Sequence, residues 1–424
     1  MWSNSNIRRL ALARLISSTG GEAAFFVGIW GRAAFDFDAT PSQLAVMMGA
    51  LGVLSLAGAA TAGVLVDRFG PRRVLIGAEI VFAPAALALI LPSSMSELTV
   101  AVGVVGLVGS VVSTAVMSFP PYITSDEQLL GKTNAAMETA STGAFVAGPA
   151  VGALLARFAG LDWIFVVDAL TSIVGVGLII GVATNAVPEH ERHSAVRELR
   201  EGFRFAYRLP RVRFLLMLAM VTWLSFGTFS ALEPIFYREV LGTGPAAIGV
   251  VNAIFGVGLA LGATLMGRYA RRLVTVRNAT ILTAAAGAGA VAYSGTSSLV
   301  IVSAGGFAWG LILGALLPVM RTLLQAVTPG YLQGRVMGVW STNNTVGEML
   351  PLLMVPALAA AAGVQAVLVG SGLLVFVTGM LCIPKAGSID RRGIAVPEPR
   401  ADVAAVAHEA PKRPFDPAVA EEVA

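Results

Sequence analysis

The sequence predicts an all-α polytopic membrane protein: twelve transmembrane helices in two six-helix, pseudo-symmetric halves. Three observations predict it. The chain is 56% hydrophobic and only 13% charged, against about 25% charged residues in an average soluble domain. Apolar stretches of about 20 residues, long enough to cross a bilayer core of about 30 Å as helix, recur along nearly the whole length. The basic residues gather between these stretches on one side of the implied membrane.

The apolar runs fall at 11–34, 44–66, 74–91, 98–119, 133–155 and 163–183, then at 214–237, 247–267, 275–293, 299–320, 336–360 and 364–383. Arg8, Arg9 and Arg14 precede the first run as they would in a signal peptide. That run is long and is interrupted by Gly20-Gly21-Glu22, so it reads as an uncleaved span. With both termini cytoplasmic, all but three of the 29 basic residues lie on or near the cytoplasmic side; the exceptions are Arg32, Arg157 and Arg238. The pI near 9.5 is therefore a topology signal, and no nucleic-acid partner is expected.

Residues 1–183 form the first half and 214–383 the second. The segment 184–213 between them contains HSAVRELREGFRFAYRLPRVR. Val196, Leu199, Phe203 and Ala206 follow helical spacing among five arginines, which suits an amphipathic helix lying on the cytoplasmic leaflet. Residues 384–424 are rich in Pro and Ala with mixed charge and are expected to form a disordered cytoplasmic tail. The halves echo each other. After the fourth and the tenth spans, a Tyr and then Gly-Lys or Gly-Arg stand at the mouth of the next helix, with a proline about 17 residues further on. Two repeated six-helix halves point to a transporter.

Between the second and third spans stands GVLVDRFGPRRVL, Gly63 to Leu75. Gly70 allows a sharp turn, Asp67 can face a helix N-terminus, and Arg68, Arg72 and Arg73 can pair with acids or lipid phosphate. A plain positive-inside turn accounts for the arginines but not for the Gly-x-x-x-Asp-Arg-x-Gly spacing. The stretch resembles the loop signature of the major facilitator superfamily, with Pro71 at one usually basic position. The corresponding loop after the eighth span, GRYARRL, keeps the basic residues and lacks the aspartate. In the fifth span, Gly148, Pro149 and Gly152 resemble the family's antiporter motif, and their small-residue spacing also suits close helix packing. REGFRFAYRLPRVRFLL and LLQAVTPGYLQGRVMGV resemble segments of bacterial exporters related to enterobactin and macrolide efflux proteins. That similarity covers residues 7–383.

Six acids fall inside the spans: Glu22, Glu79, Glu138, Asp168, Glu233 and Glu348. A charge at mid-helix costs about 2.5–3.5 kcal/mol on insertion scales, so each is a functional candidate. Glu22 and Glu348 lie deepest and are the proton-coupling candidates, because removing a carboxyl from water favours its neutral form. Glu79, Glu138 and Asp168 lie within about two turns of a span end, where side chains reach headgroups or loop arginines. Glu233 precedes Pro234 near the end of its span. The resemblance implies a central cavity walled by the first, fourth, seventh and tenth spans, which offers Ser113, Thr114, Trp223, Phe226 and Trp309 as lining. Such a pocket suits a bulky amphipathic solute.

The expected protein is a secondary active exporter of the cell membrane, monomeric, moving a small amphipathic organic molecule such as a drug or siderophore against proton entry. A proton-coupled importer and a non-transporting membrane sensor or scaffold are the alternatives. The histidines lie outside the spans and Cys382 is the lone cysteine, so no metal, cofactor or internal disulfide is expected. No nucleophile–base pair or Gly-Lys-Ser/Thr phosphate loop suggests an enzyme or an ATP-driven pump. Topology is directly testable: reporters fused after Pro384 and within 184–213 should both signal cytoplasm, and a periplasmic signal at either point refutes the map.

Overall fold

Several helices start where a side chain satisfies their free N–H groups. The computed structural model describes residues 4–124, 126–184, 203–328 and 332–391. Helix α1 spans Ser5–Asp36, capped by the Asn4 side chain, and widens into π turns at Ala24–Ile29 and Arg32–Asp36. Thr40 and Gln43 form a reciprocal capping box at the start of α2, Pro41–Phe69. Gly70, at φ 78°, turns the chain directly into α3, Pro71–Ala88. A side chain there would be strained, so this short turn needs glycine. Ser94 caps α4, Met95–Met117, and Asp126 caps α5, Glu127–Phe158; α6 follows at Asp162–Ile180.

The second half opens with α7, Pro210–Ile235, which continues through a π turn at Phe236–Val240. Then come α8, Pro245–Leu273, kinked at Tyr269; α9, Val276–Ser294, capped by Thr275; and α10, Leu299–Ala326. The eleventh span is broken. Helix α11, Gln333–Met349, passes through a 3₁₀ turn at Leu350–Leu353 and bends by 45° into Val355–Ala362. The continuous run expected at 336–360 is therefore two pieces, because Pro351 and Pro356 each lack the N–H that would carry the helix through. Helix α12 is Val364–Arg391.

Among the described residues, nine helices are long and apolar enough to cross a membrane, and the bent eleventh span makes ten. The other two are α3, only 18 residues long and carrying Arg72, Arg73 and Glu79, and α9, 19 residues long. Alternation of direction puts the α1–α2, α3–α4, α5–α6 and α7–α8 turns on one face. The α2–α3 turn, the start of α1 at Ser5 and the end of α12 at Arg391 lie on the other.

The halves meet mainly through α5 against α8. A Cβ at Gly256 would lie 3.2 Å from Val146, and Gly249 packs directly on the carbonyl of Pro149. Small residues let these backbones approach.

The described part of the connecting segment is helical at 203–208, where Phe203 stacks on Tyr207; the remainder of the expected amphipathic helix, 185–202, lies outside the described residues. So do residues 392–424 of the expected tail. The tail does not begin at Pro384, however: α12 runs through that proline to Arg391. Its last turn has a partner. Asp390 accepts from the N–H groups of Val276 (3.0 Å) and Arg277 (2.9 Å) at the start of α9. The carboxylate stands at a helix N-terminus whose dipole favours it. Asp390→Ala should lower stability by about 1 kcal/mol, the usual cost of losing such a cap. Thermal unfolding of the solubilised protein reads this; an unchanged transition contradicts the assignment.

Candidate functional site: a cavity between the halves

A cavity of about 300 Å³ lies between the two halves. Its walls come from α1 (Phe25, Phe26, Trp30), α5 (Phe145), α7 (Trp223, Phe226, Phe229, Ser230, Glu233), α8 (Asn252, Phe255), α9 (Tyr293), α10 (Trp309) and α11 (Glu348). The rings form a continuous series. Trp30 meets Phe26 at 5.2 Å, Phe26 meets Phe145 at 5.5 Å, and Phe145 reaches across to Phe255 at 6.2 Å. Phe255 meets Trp309 at 5.5 Å, and Trp309 stacks on Phe226 at 5.6 Å. Edge-to-face and offset ring pairs of this kind contribute about 0.5–1.5 kcal/mol each beyond burial. Rings that pack on one another around a void can also pack on a flat solute.

Two further cavities adjoin it through shared residues. One, about 390 Å³, is lined by Ser113 and Thr114 of α4, Ser230, Thr345 and Glu348. Another, about 340 Å³, is walled by Arg14, Ser17, Glu22, Glu79 and Ser113. Phe25 lines all three. Trp223, Phe226, Trp309 and Glu348 therefore share the central void. Ser113, Thr114 and Glu22 stand beside it rather than in it.

The acids divide by half. Glu22 faces the smaller N-half cavity, with its Cβ tight against Gly148. Arg14, on the same wall, donates to Ser141 at 3.0 Å. Glu79 and Asp168 do not reach headgroups or loop arginines as their positions near span ends suggested. They are 2% and 1% exposed, turned inward where α1, α3 and α6 meet. Ser17 donates to Glu79 at 2.8 Å, and Asp168 lies against Gly20, where a side chain would collide with it. Glu138 is exposed.

Glu233 stands just before the π turn Phe236–Val240 that prolongs α7 beyond Ile235. It is buried and accepts from Tyr293 at 2.5 Å and from Asn252 at 3.2 Å; Tyr237 and Tyr293 share a hydrogen bond at 2.8 Å. A signal for it was present: Trp223, Phe226, Ser230 and Glu233 recur every three or four residues, one face of a helix. No local signal marks Glu79 or Asp168, whose neighbours are distant in sequence.

Of the loop motif, Gly63, Asp67, Arg68 and Arg73 are exposed, and Arg72 donates to the carbonyl of Ile180 at the end of α6. The fifth-span motif works in two directions. Gly148 and Gly152 face α1, where added Cβ atoms would collide with Glu22 and Val27, while the Pro149 carbonyl faces Gly249 of the other half. The glycines thus pack within the first half and only the proline position serves the seam.

Sequence reasoning missed the clasp on the α1–α2 face. Arg238, at the end of α7, donates to the carbonyls of Ala34 (2.6 Å) and Ala39 (3.2 Å) and pairs with Asp38 at 3.6 Å. Arg32 binds the carbonyls of Leu89, Ile90 and Pro92 and pairs with Asp162 at 3.2 Å. These are two of the three arginines that broke the charge bias. The exceptions were the signal.

Comparison with known proteins agrees with this architecture. The profile of the Major Facilitator Superfamily matches residues 10–274 and 215–415. The chain belongs to that superfamily. Among solved members of this fold, the nucleoside transporter NupG superposes with a TM-score of 0.72 at 11% identity, covering 89% of this chain and 98% of that one. A D-xylose–proton symporter superposes at 0.69 with 14% identity, covering 91% and 98%. In sequence, the multidrug efflux pump Tap of Mycolicibacterium fortuitum is 24% identical over 393 residues, covering 88% of this chain and 94% of Tap. The enterobactin exporter EntS of Escherichia coli is 24% identical over 355 residues, covering 80% and 82%. The protein is thus a multi-span superfamily transporter.

Proposed function

We propose that this superfamily member is a secondary active exporter of small amphipathic organic molecules, driven by proton entry. The observation that carries the reading is the aromatic cavity between the halves, with carboxylates on its walls and in the adjoining void. Similarity to a multidrug efflux pump and to an enterobactin exporter favours export over import. The protein acts as a monomer in the cell membrane with both termini cytoplasmic, and needs no cofactor or catalytic chemistry. The α1–α2 face is then the outer one.

Under this reading the structure has the outer face clasped by Arg238 while Asp67 and Arg68 of the inner loop are exposed. Substrate enters from the cytoplasmic side and lies among Trp223, Phe226 and Trp309. An apolar wall with few polar groups accepts many shapes and fixes orientation weakly, which suits broad specificity. As the inner face closes, Asp67 meets a helix N-terminus of the second half and holds it by charge. Glu22 and Glu348 carry protons, each facing a void continuous with the substrate path. Gly148 keeps Glu22 at that wall by letting α1 and α5 touch.

The coupling role has a direct test in inside-out vesicles with an acidified lumen. Glu22→Gln should still bind substrate yet lose accumulation driven by a pH gradient. One unit of gradient is worth about 1.4 kcal/mol per proton, or about tenfold in accumulation. Glu22→Asp should retain part of the activity with its pH profile displaced. If Glu22→Gln accumulates substrate as steeply as the parent, the carboxylate is structural and Glu348 is left as the coupling acid.

A further inference from the structure

We infer that Glu233 is a proton-binding site of the second half whose negative charge locks the Arg238 clasp through Tyr293 and Tyr237. The inference rests on the alternating-access reading above, but not on the direction of transport or on the substrate. Its basis is a chain of contacts from the cavity wall to the α1–α2 face. Glu233 lines the central cavity and holds Tyr293 of α9 and Asn252 of α8. Tyr293 holds Tyr237, one turn beyond Glu233 on α7, and Tyr237 is completely buried. Tyr237 belongs to the π turn Phe236–Val240, whose next residue is Arg238. The Tyr237 carbonyl also accepts from the backbone and side chain of Thr243, which fixes the turn beyond it.

Among the described residues, the groups around Glu233 include no cation paired with it. Tyr293 and Asn252 face it from α9 and α8, Tyr237 lies next along α7, and Glu348 of α11 lines the same cavity. Charged Glu233 can only accept. Tyr293 must then donate to it, and Tyr237 must donate to Tyr293. Both phenols are committed, and a hydrogen bond to an ionised group is stronger than a neutral one. Protonation places a donor on the carboxyl, which can reverse or weaken that sequence and release Tyr237 from its fixed role. The π turn then loses its anchor, and Arg238 can leave the Ala34 and Ala39 carbonyls. A cationic group of a substrate beside Glu233 would neutralise the same charge. An exchanger must not reorient empty, and a charged, unloaded Glu233 that keeps the clasp shut meets that requirement.

The test reads the clasp and not transport. Spin labels at Ser96→Cys and Ser297→Cys, both exposed on the α1–α2 face of opposite halves, are placed in the full chain with Cys382→Ser, in lipid nanodiscs. The long-distance population should grow as pH falls, because acid neutralises the locking charge. Glu233→Gln should raise that population at alkaline pH by about fivefold, the difference between charged and neutral hydrogen bonds, and flatten its pH dependence. Tyr293→Phe, with the carboxylate intact, should do the same, and Arg238→Ala should open the face at every pH. Glu138→Gln, at an exposed acid outside the cavities, should keep the parent response. If Glu233→Gln or Tyr293→Phe retains the parent pH dependence, the proposal fails. Should Glu233→Gln not fold, Tyr293→Phe alone decides. An importer would give the same label distances, so failure of the export reading stays distinguishable.

Discussion

The guanidinium of Arg238 is the interaction on which this arrangement depends. It reaches from α7 of one half to the two carbonyls and the carboxylate that end α1 of the other. Hydrogen bonds involving charged groups contribute about 1.5–3 kcal/mol each. A clasp of two such bonds and an exposed ion pair holds one face shut while remaining breakable. Where α5 meets α8, Gly249 and Gly256 let the backbones approach, and Phe145 meets Phe255 across the seam.

Polar groups inside the bilayer are placed by half and by task. In the first half, Asp168 is sealed among α1, α3 and α6, while Glu22, Arg14 and Glu79 line one void. In the second half, Glu233 is enclosed by two tyrosines and an asparagine, while Glu348 opens to two cavities. A carboxylate in such surroundings is tolerated only when something neutralises or solvates it. Glu79 and Glu233 are held by hydrogen bonds and Glu22 and Glu348 face voids, whereas Asp168 is buried with Oδ1 unpartnered.

Much of this was legible in the sequence, for physical reasons. Twelve apolar runs and one-sided arginines report the bilayer itself, which acts locally on every segment. Gly63 through Arg73 reports a turn, also local. What the sequence hid lies between distant segments. Asp390 capping α9, Ser17 meeting Glu79, and Gly148 seated on Glu22 join residues 62 to 126 positions apart. The partners of Glu233 were hidden in the same way: Asn252 and Tyr293 stand on other helices, 19 and 60 positions away. Arg238 was visible as an exception to the charge bias, but an exception has no partner until the fold supplies one.

The central claim is that one site between the halves opens to each face in turn. Ser230 lines both the central cavity and the one beside it. Ser230→Cys with Cys382→Ser, in sealed vesicles of either orientation, measures this with a membrane-impermeant thiol reagent. The account predicts that the cysteine reacts from both sides, and that Arg238→Ala speeds reaction from the α1–α2 side while slowing it from the other. Reaction from one side alone, unchanged by Arg238→Ala, would contradict it.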